Sequence, residues 1–372
     1  MPIDSNIRNI IKTNSHIKID DMMREVLSNT PNSYYKITKN IGEHGDFITS
    51  PEISQLFGEL IALWAIEQWQ KLGSPKKFSL LELGPGQGQL MQDFLRVVKL
   101  VPEFFDAAQI HLLEINPYFI KKQKAKLTEY NKNIKWISDI KQIPKLPSII
   151  ISNEFFDALP IKQYMKVKDK WFESILVIDP IDEHIKYDKI ELHKALQTQL
   201  ALDHINARDG AIIEESLESL DIIRSLSKHL FTYSGAKLII DYGYAIEAPT
   251  RHRGQYNSTL QAIKNHQYHS IISSLGEADL TAHVDFDALK KAAHEQGVNN
   301  YTISSQKEFL IKYGIEMRLQ ALKINASQND KEILDKQVFR LTASQQMGEL
   351  FKVLELIAIP TKKQILSATN QV

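Results

Sequence analysis

The sequence contains no cysteine, and this absence removes several classes of function at once. Without thiols there are no disulfide bonds, no thiolate metal ligands and no cysteine nucleophile. The formal net charge is 0, so no overall field attracts nucleic acid or an anionic membrane. No apolar run reaches membrane-spanning length, and the 12 histidines show no metal-binding spacing. We therefore expect no metal, no nucleic-acid partner and no insertion into a membrane.

The N-terminal segment carries no recognisable targeting signal. Residues 6–27 mix both charge signs, with Ile7, Ile10 and Ile11 at helical spacing. They lack the apolar centre of a signal peptide and the arginine-rich, acid-poor character of a transit peptide. The sequence therefore predicts a cytoplasmic protein.

Strand-like and helix-like segments alternate through the first half of the chain. A helix is predicted over 51–72, with Ser50 as its N-cap and Pro51 as its first residue. Apolar runs predict strands at 78–83, 110–114, 134–137 and 148–152, with helices at 89–100 and 118–130. This alternation is typical of an α/β fold with a doubly wound, Rossmann-like parallel sheet.

The regular alternation breaks after residue 160. Two strands flanking Lys168–Lys170 predict an antiparallel hairpin, and a helix is predicted around 192–205. The main pattern resumes with a helix at 217–230 and a strand at 237–241, and residues 243–269 read as a long loop. We therefore divide the chain into N-terminal helices (1–75), the first part of the sheet domain (76–160), an inserted α+β substrate region (161–215) and the remainder of the sheet domain (216–372).

A glycine-rich turn follows the first predicted strand. Its residues are Glu82, Gly84, Pro85, Gly86 and Gly88. Three glycines in five positions let the backbone lie flat against a nucleoside-type ligand. A dinucleotide site needs a glycine where this chain has Gln89. The spacing instead resembles the S-adenosylmethionine loop of Rossmann-like methyltransferases, in which the acid that closes the strand faces the methionine end of the cofactor.

A second carboxylate closes the next predicted strand. Glu114, with Ile115 beside it, lies 26 residues after Gly88. In nucleoside-binding α/β folds an acid at this place accepts both ribose hydroxyls. The alternative is that Glu114 only caps the next helix, which Asn116 and Pro117 begin.

Other strand and helix ends offer further cofactor contacts. The helix start at Thr49 and Ser50 could contact the carboxylate of the cofactor, or Ser50 could serve only as a cap. Asp139 could accept the adenine amino group while Ile140 packs on the ring, although Asp139 could equally be a surface residue. Asn153 ends the fourth strand and completes the predicted set.

Several long strings of residues carry a family resemblance. They lie at 45–59, 153–160, 240–243, 276–286 and 347–352, and the glycine-rich turn follows the first of them. In this order they resemble the MidA family of class I methyltransferases, which includes the mitochondrial complex I assembly factor seven. The resemblance covers about Tyr34 to Ile357. It implies S-adenosyl-L-methionine as cofactor and a protein as substrate. In the mitochondrial members the methyl group goes to an arginine of a complex I subunit.

The acceptor side of the predicted site is rich in carboxylates. Glu154 and Asp157 follow the fourth strand, and one turn of helix would place them on one side to hold a guanidinium. The alternative is that Asp157 caps a helix. His283 and Asp285 would share one face of an extended segment and could deprotonate or position an acceptor, although a structural histidine is the competing interpretation. Arg251, His252 and Arg253 read as loop charges, and His266 has no assigned role.

The sequence therefore predicts a methyltransferase that modifies a protein arginine. A methyltransferase for a non-arginine or small-molecule acceptor is the alternative within the enzyme class. A non-catalytic scaffold that binds the cofactor during assembly of a respiratory complex is the alternative outside it. An NAD-dependent oxidoreductase is disfavoured by Gln89.

Overall fold

The chain folds into two compact units. The computed structural model describes residues 3–37, 49–245, 257–264 and 267–359. The larger unit comprises Ile48–Phe155, Ile222–Thr250 and Phe286–Val372, and the smaller unit comprises Met1–Phe47, Phe156–Asp221 and Arg251–Asp285. Residues 45–48 of the first motif, the loop charges 251–253 and His266 lie outside the described residues.

The larger unit is built on a central sheet. Its strands are β1 (Phe78–Leu83), β2 (Ala108–Leu113), β3 (Lys135–Ile137), β4 (Ser148–Asn153), β5 (Gly235–Tyr244), β6 (Asn300–Ser305) and β7 (Phe351–Ala358). They lie in the order β6-β7-β5-β4-β1-β2-β3. The five strands β5, β4, β1, β2 and β3 are parallel to one another, and β7 is antiparallel to both of its neighbours, β5 and β6. The predicted α/β class with a mostly parallel sheet is confirmed.

The strand order fixes where a ligand binds. The chain proceeds outward from β1 to β3 and then returns to the other side of β1 to form β4. In open α/β sheets, ligands bind outside the carboxyl ends of the strands at such a reversal. Residues that follow β1 and β4 therefore meet at this edge.

Both faces of the sheet are covered, which explains the uninterrupted apolar strands. All six residues of β1 are buried. Leu80 packs into the core on one face and Leu81 into the core on the other, because successive side chains of a strand point in opposite directions. Helices of this part of the chain are Ser50–Ile53, Gln55–Lys71, Gln89–Val98, Pro102–Ala107, Pro117–Leu127, Leu217–Tyr233, Phe286–His294, Gln306–Lys312, Ile315–Lys323, Gln328–Thr342 and Met347–Leu350. Short 3-10 turns lie at Thr128–Tyr130 and Ile140–Gln142.

The first predicted helix is divided in two. Thr49 is the N-cap of the one-turn helix Ser50–Ile53, and its backbone N–H donates to Glu52 Oε2 (3.2 Å). Ser54 then caps the long helix Gln55–Lys71 through a bond from the N–H of Leu56 (3.4 Å). The prediction that Ser50 is the N-cap is therefore wrong by one residue.

The smaller unit contains two antiparallel sheets. One is formed by Ile17–Lys18, Lys162–Val167, Lys170–Ile178, Ile185–Glu191 and Ile212–Glu215, and the other by Gln261–Lys264, Gln267–His269 and Asp279–Thr281. Its helices are Ile3–Asn14, Ile19–Arg24, the π-helix Glu25–Asn29, Tyr34–Ile37 and Lys194–Asp203, with a 3-10 turn at Ile272–Ser274 and a short strand at Val284–Asp285. The predicted hairpin is confirmed, with Tyr164 opposite Glu173.

Two parts of the smaller unit differ from the prediction. The strands Gln261–Lys264 and Gln267–His269 lie within the segment that we expected to be a loop. Strand Ile185–Glu191 was not predicted, because its side chains are mostly charged and exposed and give no apolar signal.

No helix within the described ranges is long and apolar enough to cross a membrane. Those same ranges hold no group of three or more side chains that could bind a metal ion.

Candidate functional site

The loop after β1 depends on its glycines. Gly84, Gly86 and Gly88 have φ angles of +63°, +51° and +78°, a backbone region that residues other than glycine rarely adopt. The N–H of Gly88 donates to the carbonyl of Pro85 (2.7 Å) and closes the turn, and helix Gln89–Val98 begins at the next residue. The backbone N–H groups at this helix start and the positive end of its dipole favour a polar or anionic ligand.

The surroundings of the three glycines differ. A Cβ atom at Gly84 would lie 2.9 Å from Phe155 Cδ2, and one at Gly88 would lie 3.2 Å from Gln123 Cγ. A Cβ atom at Gly86 would meet no described atom within 4 Å. Gly86 therefore presents bare backbone to open space, as a cradle for a flat ligand requires.

Glu82, near the end of β1, is a buried carboxylate with one oxygen that accepts no hydrogen bond from the described residues. Its side chain is 3% exposed, and within the described residues Oε2 accepts no hydrogen bond. Burial, with a smaller contribution from the charge of Glu114, raises the pKa of Glu82 to about 8. Such a group is unfavourable unless a ligand supplies a donor or a positive charge. The methionine end of S-adenosylmethionine carries an ammonium and a sulfonium, so the residues present fit this cofactor.

Glu114 follows β2 at the same edge of the sheet. Its Oε1 accepts the N–H groups of Ile115 and Asn116, both at 2.8 Å. Burial raises its pKa, and these hydrogen bonds oppose the rise. The next helix is capped by Asn116, whose side chain accepts the N–H of Tyr118 (2.9 Å). The alternative that Glu114 serves only as the helix cap is therefore wrong, and its contact with ribose stays a prediction.

Gln123 is a residue of this region that sequence reasoning missed. It is fully buried on helix Pro117–Leu127. Its Nε2 donates to the carbonyl of Gly86 (2.7 Å) and to Glu114 Oε2 (3.2 Å), and its Oε1 accepts from Trp136 Nε1 (2.7 Å). These partners are distant in the sequence, so no local motif marks Gln123.

Glu154 comes directly after β4, on the other side of the strand reversal. It has a φ angle of +50°, and its N–H donates to the carbonyl of Ile240 (2.9 Å). Its Oε1 accepts the N–H of Ser50 (3.0 Å) and Asn153 Nδ2 (2.9 Å). Burial is the main cause that raises the pKa of Glu154 to about 7. Asn153, predicted as a cofactor contact, thus holds the side chain of Glu154, and the N–H of Phe155 is held by Asp241 Oδ2 (3.1 Å).

The predicted helical turn over residues 154–157 is absent from this part of the described chain. The segment is an irregular turn, because Glu154 adopts a left-handed conformation that no helix accommodates. The expected placement of Glu154 and Asp157 on one helical face is therefore wrong. The alternative that Asp157 caps a helix is also wrong, because residues 157–158 form a turn and no helix of the described chain begins there.

The helix start at Thr49 lies close to the glycine loop. Glu52, in that first turn, accepts a hydrogen bond from Gln87 Nε2 (3.3 Å), and Gln87 Oε1 accepts from Lys122 Nζ (3.0 Å). Ser50 is buried, and its N–H contacts Glu154. The structure thus brings the predicted residues Thr49 and Ser50 to the glycine loop and β4.

Asp139 and Ile140 lie just after β3. The side chain of Asp139 is exposed and accepts the N–H of Lys141 (2.8 Å), so it caps the 3-10 turn Ile140–Gln142. Ile140 packs beside the apolar cluster that contains Leu83. Ile115 is 44% exposed. Their contact with adenine stays a prediction.

Asp157, His283 and Asp285 belong to the smaller unit. The carbonyl of Asp157 accepts the N–H of Ala282 (2.9 Å), and the N–H of His283 donates to Thr259 Oγ1 (2.9 Å). His283 and Asp285 are half-buried, while Val284 between them is buried, as the predicted alternation requires. Their catalytic roles stay predictions.

A further acid lies near Asp157 in the same unit. The hydroxyl of Tyr35 donates to Asp279 Oδ1 (2.7 Å). Burial, then the charge of Asp279 and that of Asp157, holds the pKa of Tyr35 well above its usual range. Sequence reasoning did not single out Asp279, because it lies inside the string 276–286 and forms no recognisable motif with neighbouring residues.

The match to a known family covers most of the chain. Residues 60–304 match the model of a family described as S-adenosyl-L-methionine-dependent methyltransferase. The matched residues include the glycine loop, Glu114 and Glu154.

Two curated relatives extend this match. The chain is 34% identical to the Xenopus tropicalis "Protein arginine methyltransferase NDUFAF7, mitochondrial", over 93% of this chain and 84% of the relative. It is 32% identical to the Homo sapiens protein of the same name, over 96% and 84%. A Burkholderia thailandensis candidate methyltransferase, solved with S-adenosylhomocysteine, shares the fold with a TM-score of 0.81 and 24% identity, over 95% of this chain and 91% of that one.

These comparisons correct the prediction of location. The sequence predicted a cytoplasmic protein, but the curated relatives are named mitochondrial, which contradicts that prediction. The resemblance to the MidA family is confirmed, as is the prediction of an enzyme that uses S-adenosyl-L-methionine. The chain belongs to the family of S-adenosyl-L-methionine-dependent methyltransferases.

Proposed function

We propose that this enzyme methylates an arginine side chain of a protein. The relatives named above are protein arginine methyltransferases. The observation that carries the proposal is Glu154, a carboxylate at the strand reversal whose pKa is raised to about 7. A subunit of respiratory complex I is the acceptor that the family resemblance implies.

The cofactor is held by residues around the loop after β1. When bound, S-adenosyl-L-methionine supplies an electrophilic methyl group. Glu82 would balance the charge of the methionine end, Glu114 would accept from the ribose hydroxyls, and the bare backbone of Gly86 would lie against the nucleoside. The helix start at Thr49 and Ser50 would face the carboxylate, and Asp139 with Ile140 would receive the adenine.

Glu154 binds the acceptor and receives its proton. A guanidinium is protonated at neutral pH, because its pKa exceeds about 12. Ser50 and Asn153 both donate to Oε1 of Glu154. Oε2 is therefore the oxygen available to an N–H of the guanidinium. The nitrogen would gain the methyl group as the methyl–sulfur bond of the cofactor breaks and S-adenosylhomocysteine is released. Glu154, whose raised pKa suits a base near neutral pH, would take the proton of that nitrogen.

Labelling identifies the acceptor directly. The protein is incubated with S-adenosyl-L-methionine carrying a labelled methyl group and with lysate from cells that lack it. We expect label on one or a few proteins, and mass spectrometry should place it on an arginine nitrogen. Heat-inactivated enzyme is the control. Label on another residue type or on a small molecule contradicts the arginine assignment, and bound cofactor without any labelled product supports the scaffold alternative.

Substituting alanine for Gly86 tests the cofactor loop. Its φ of +51° is strained for alanine, which should lower the free energy of unfolding by about 1 kcal/mol. The added methyl group projects into the open space of the cradle, so the affinity for S-adenosylhomocysteine should fall by about tenfold or more. Calorimetric titration measures this affinity.

Gly73 provides a matched control for this substitution. It also has a positive φ (+85°), and a Cβ atom added to it would likewise meet no described atom within 4 Å, but it lies in the turn after helix Gln55–Lys71. Gly73→Ala should lower stability by a similar amount and leave the affinity unchanged. Equal affinities of the two variants would contradict the placement of the cofactor against Gly86.

A further inference from the structure

The side chain of Gln123 joins three separate parts of the larger unit. It is fully buried, and it contacts the glycine loop at Gly86, the carboxylate of Glu114 and the indole of Trp136. Gly86 follows β1, Glu114 follows β2 and Trp136 lies on β3. One amide group therefore links the carboxyl ends of three neighbouring strands.

The orientation of this amide is fixed by its partners. The indole N–H of Trp136 can only donate, so the atom that it meets must be the oxygen of Gln123. Nε2 then faces two acceptors, the carbonyl of Gly86 and the carboxylate of Glu114. A flipped amide would place its oxygen against both acceptors and its NH₂ against a donor, so the observed arrangement is strongly preferred.

We infer that Gln123 is a positioning residue that holds the carboxylate of Glu114 against the glycine loop and makes the site select ribose over 2′-deoxyribose. This inference rests on the proposed contact between Glu114 and ribose.

The bonds to Glu114 explain how this positioning works. The N–H groups of Ile115 and Asn116 hold Oε1, and Gln123 holds Oε2. A carboxylate held at both oxygens cannot rotate about its terminal torsion, which is otherwise a broad and soft rotation. With three of the four acceptor directions of the carboxylate occupied, the remaining direction on Oε2 stays fixed toward a ribose hydroxyl. Loss of Gln123 frees this rotation and leaves Glu114 able to bond to water instead, so a missing hydroxyl would matter less.

The test compares two ligands rather than one. Calorimetric titration gives the dissociation constants of S-adenosylhomocysteine and of its 2′-deoxyribose analogue. In the parent protein the 2′-deoxyribose analogue should bind on the order of 100-fold more weakly, because it lacks a hydrogen bond to the charged carboxylate of Glu114. We call this factor the ratio. In Gln123→Leu we expect the affinity for S-adenosylhomocysteine to fall by about tenfold to 100-fold and the ratio to fall to about 10 or less.

A merely structural role gives a different result. If Gln123 only stabilises the fold, both ligands should weaken equally and the ratio should stay unchanged, which would overturn the inference. Gln68→Leu is the matched control, because Gln68 is a buried glutamine on helix Gln55–Lys71 of the same unit. The ratio of the two dissociation constants in Gln68→Leu should equal that in the parent. If the parent protein binds the two ligands equally well, the proposed contact between Glu114 and ribose is wrong. If the parent prefers ribose and Gln123→Leu keeps the same preference, only the inference about Gln123 is wrong.

Two further variants keep the inference testable if Gln123→Leu fails to fold. Gln123→Met keeps a side chain of similar length but has no donor for Glu114, so the ratio should again fall. Trp136→Phe removes the donor that fixes the amide and should lower the ratio by a smaller factor. The indole N–H resonance of Trp136, observed by NMR, should shift on ligand binding in the parent and not in Gln123→Leu. An unchanged ratio in both variants would overturn the inference.

Discussion

Replacing Glu82 with glutamine should make the ligand-free protein more resistant to unfolding at pH 8 while weakening its binding of S-adenosyl-L-methionine by about 100-fold or more. The stability gain follows from the position of the carboxyl group. Glu82 is 3% exposed, and among the described residues nothing donates to its Oε2. The ionised form is therefore poorly solvated until a ligand arrives, and an amide carries no such charge.

The sign of the pH dependence follows from the raised pKa. The pKa of Glu82 is about 8 in the folded protein and near 4.5 when unfolded. Between these values the folded state holds a proton that the unfolded state has released, so stability falls as pH rises and then levels off above about 8. The glutamine variant lacks this loss. Its advantage over the parent should grow between pH 5 and pH 8 by on the order of 2 kcal/mol.

Chemical denaturation at both pH values measures this difference, and titration with S-adenosyl-L-methionine measures the lost affinity. Glu355→Gln is the control, because Glu355 is also buried in the larger unit but accepts bonds from Trp64 Nε1 (2.8 Å) and Lys312 Nζ (3.2 Å). Removing that charge should destabilise the protein. If Glu82→Gln binds the cofactor as tightly as the parent, Glu82 does not face its cationic end.

The strands of the larger unit could be predicted because their signal is local. β1 spans Phe78–Leu83, the same bounds that its apolar run predicts. The strand is buried on both faces, so four of its six positions are apolar. The apolar runs likewise placed Glu82, Glu114 and Glu154 at or next to strand ends, and the fold brings those ends to one edge of the sheet.

The geometry of the candidate site could not be predicted in the same way. The left-handed conformation of Glu154 depends on a backbone bond to Ile240, which lies 86 residues further along the chain. The role of Gln123 depends on partners 37 and 13 residues away. A sequence pattern reports periodicity and local caps, whereas these features arise only when distant strands pair. The division of the predicted catalytic residues between two units also follows from long-range packing.

Glutamine in place of Glu154 should reduce kcat by about 100-fold to 10,000-fold, the range expected for loss of a general base. Its folded structure should persist, because the amide oxygen of glutamine can still accept from Ser50 and Asn153, as Oε1 does now. The affinity for S-adenosylhomocysteine should stay within a few-fold of the parent. Single-turnover assays with a methyl acceptor identified by labelling measure the rate, and calorimetric titration measures the affinity.

The pH profile tests whether Glu154 is the base rather than only a clamp. Its pKa is about 7, so the ionised carboxylate predominates only at higher pH. The guanidinium does not titrate in this range. With cofactor and acceptor both held at saturation, so that neither the titration of Glu82 nor the binding of the acceptor affects the rate, kcat should rise about tenfold per pH unit in the acid range and then reach a plateau. The residual activity of Glu154→Gln should lack this rise.

Glu103→Gln is the control for the change in charge, because Glu103 is exposed on helix Pro102–Ala107. Its rate and pH profile should equal those of the parent. A Glu154→Gln enzyme that kept its turnover would remove Glu154 from the chemistry and leave Asp157, His283 and Asp285 as the candidates. A variant with low turnover but an unchanged pH profile of kcat would assign the acceptor-binding role to Glu154 and the proton to another group, since a group that only binds the acceptor does not titrate in kcat once the acceptor is saturating.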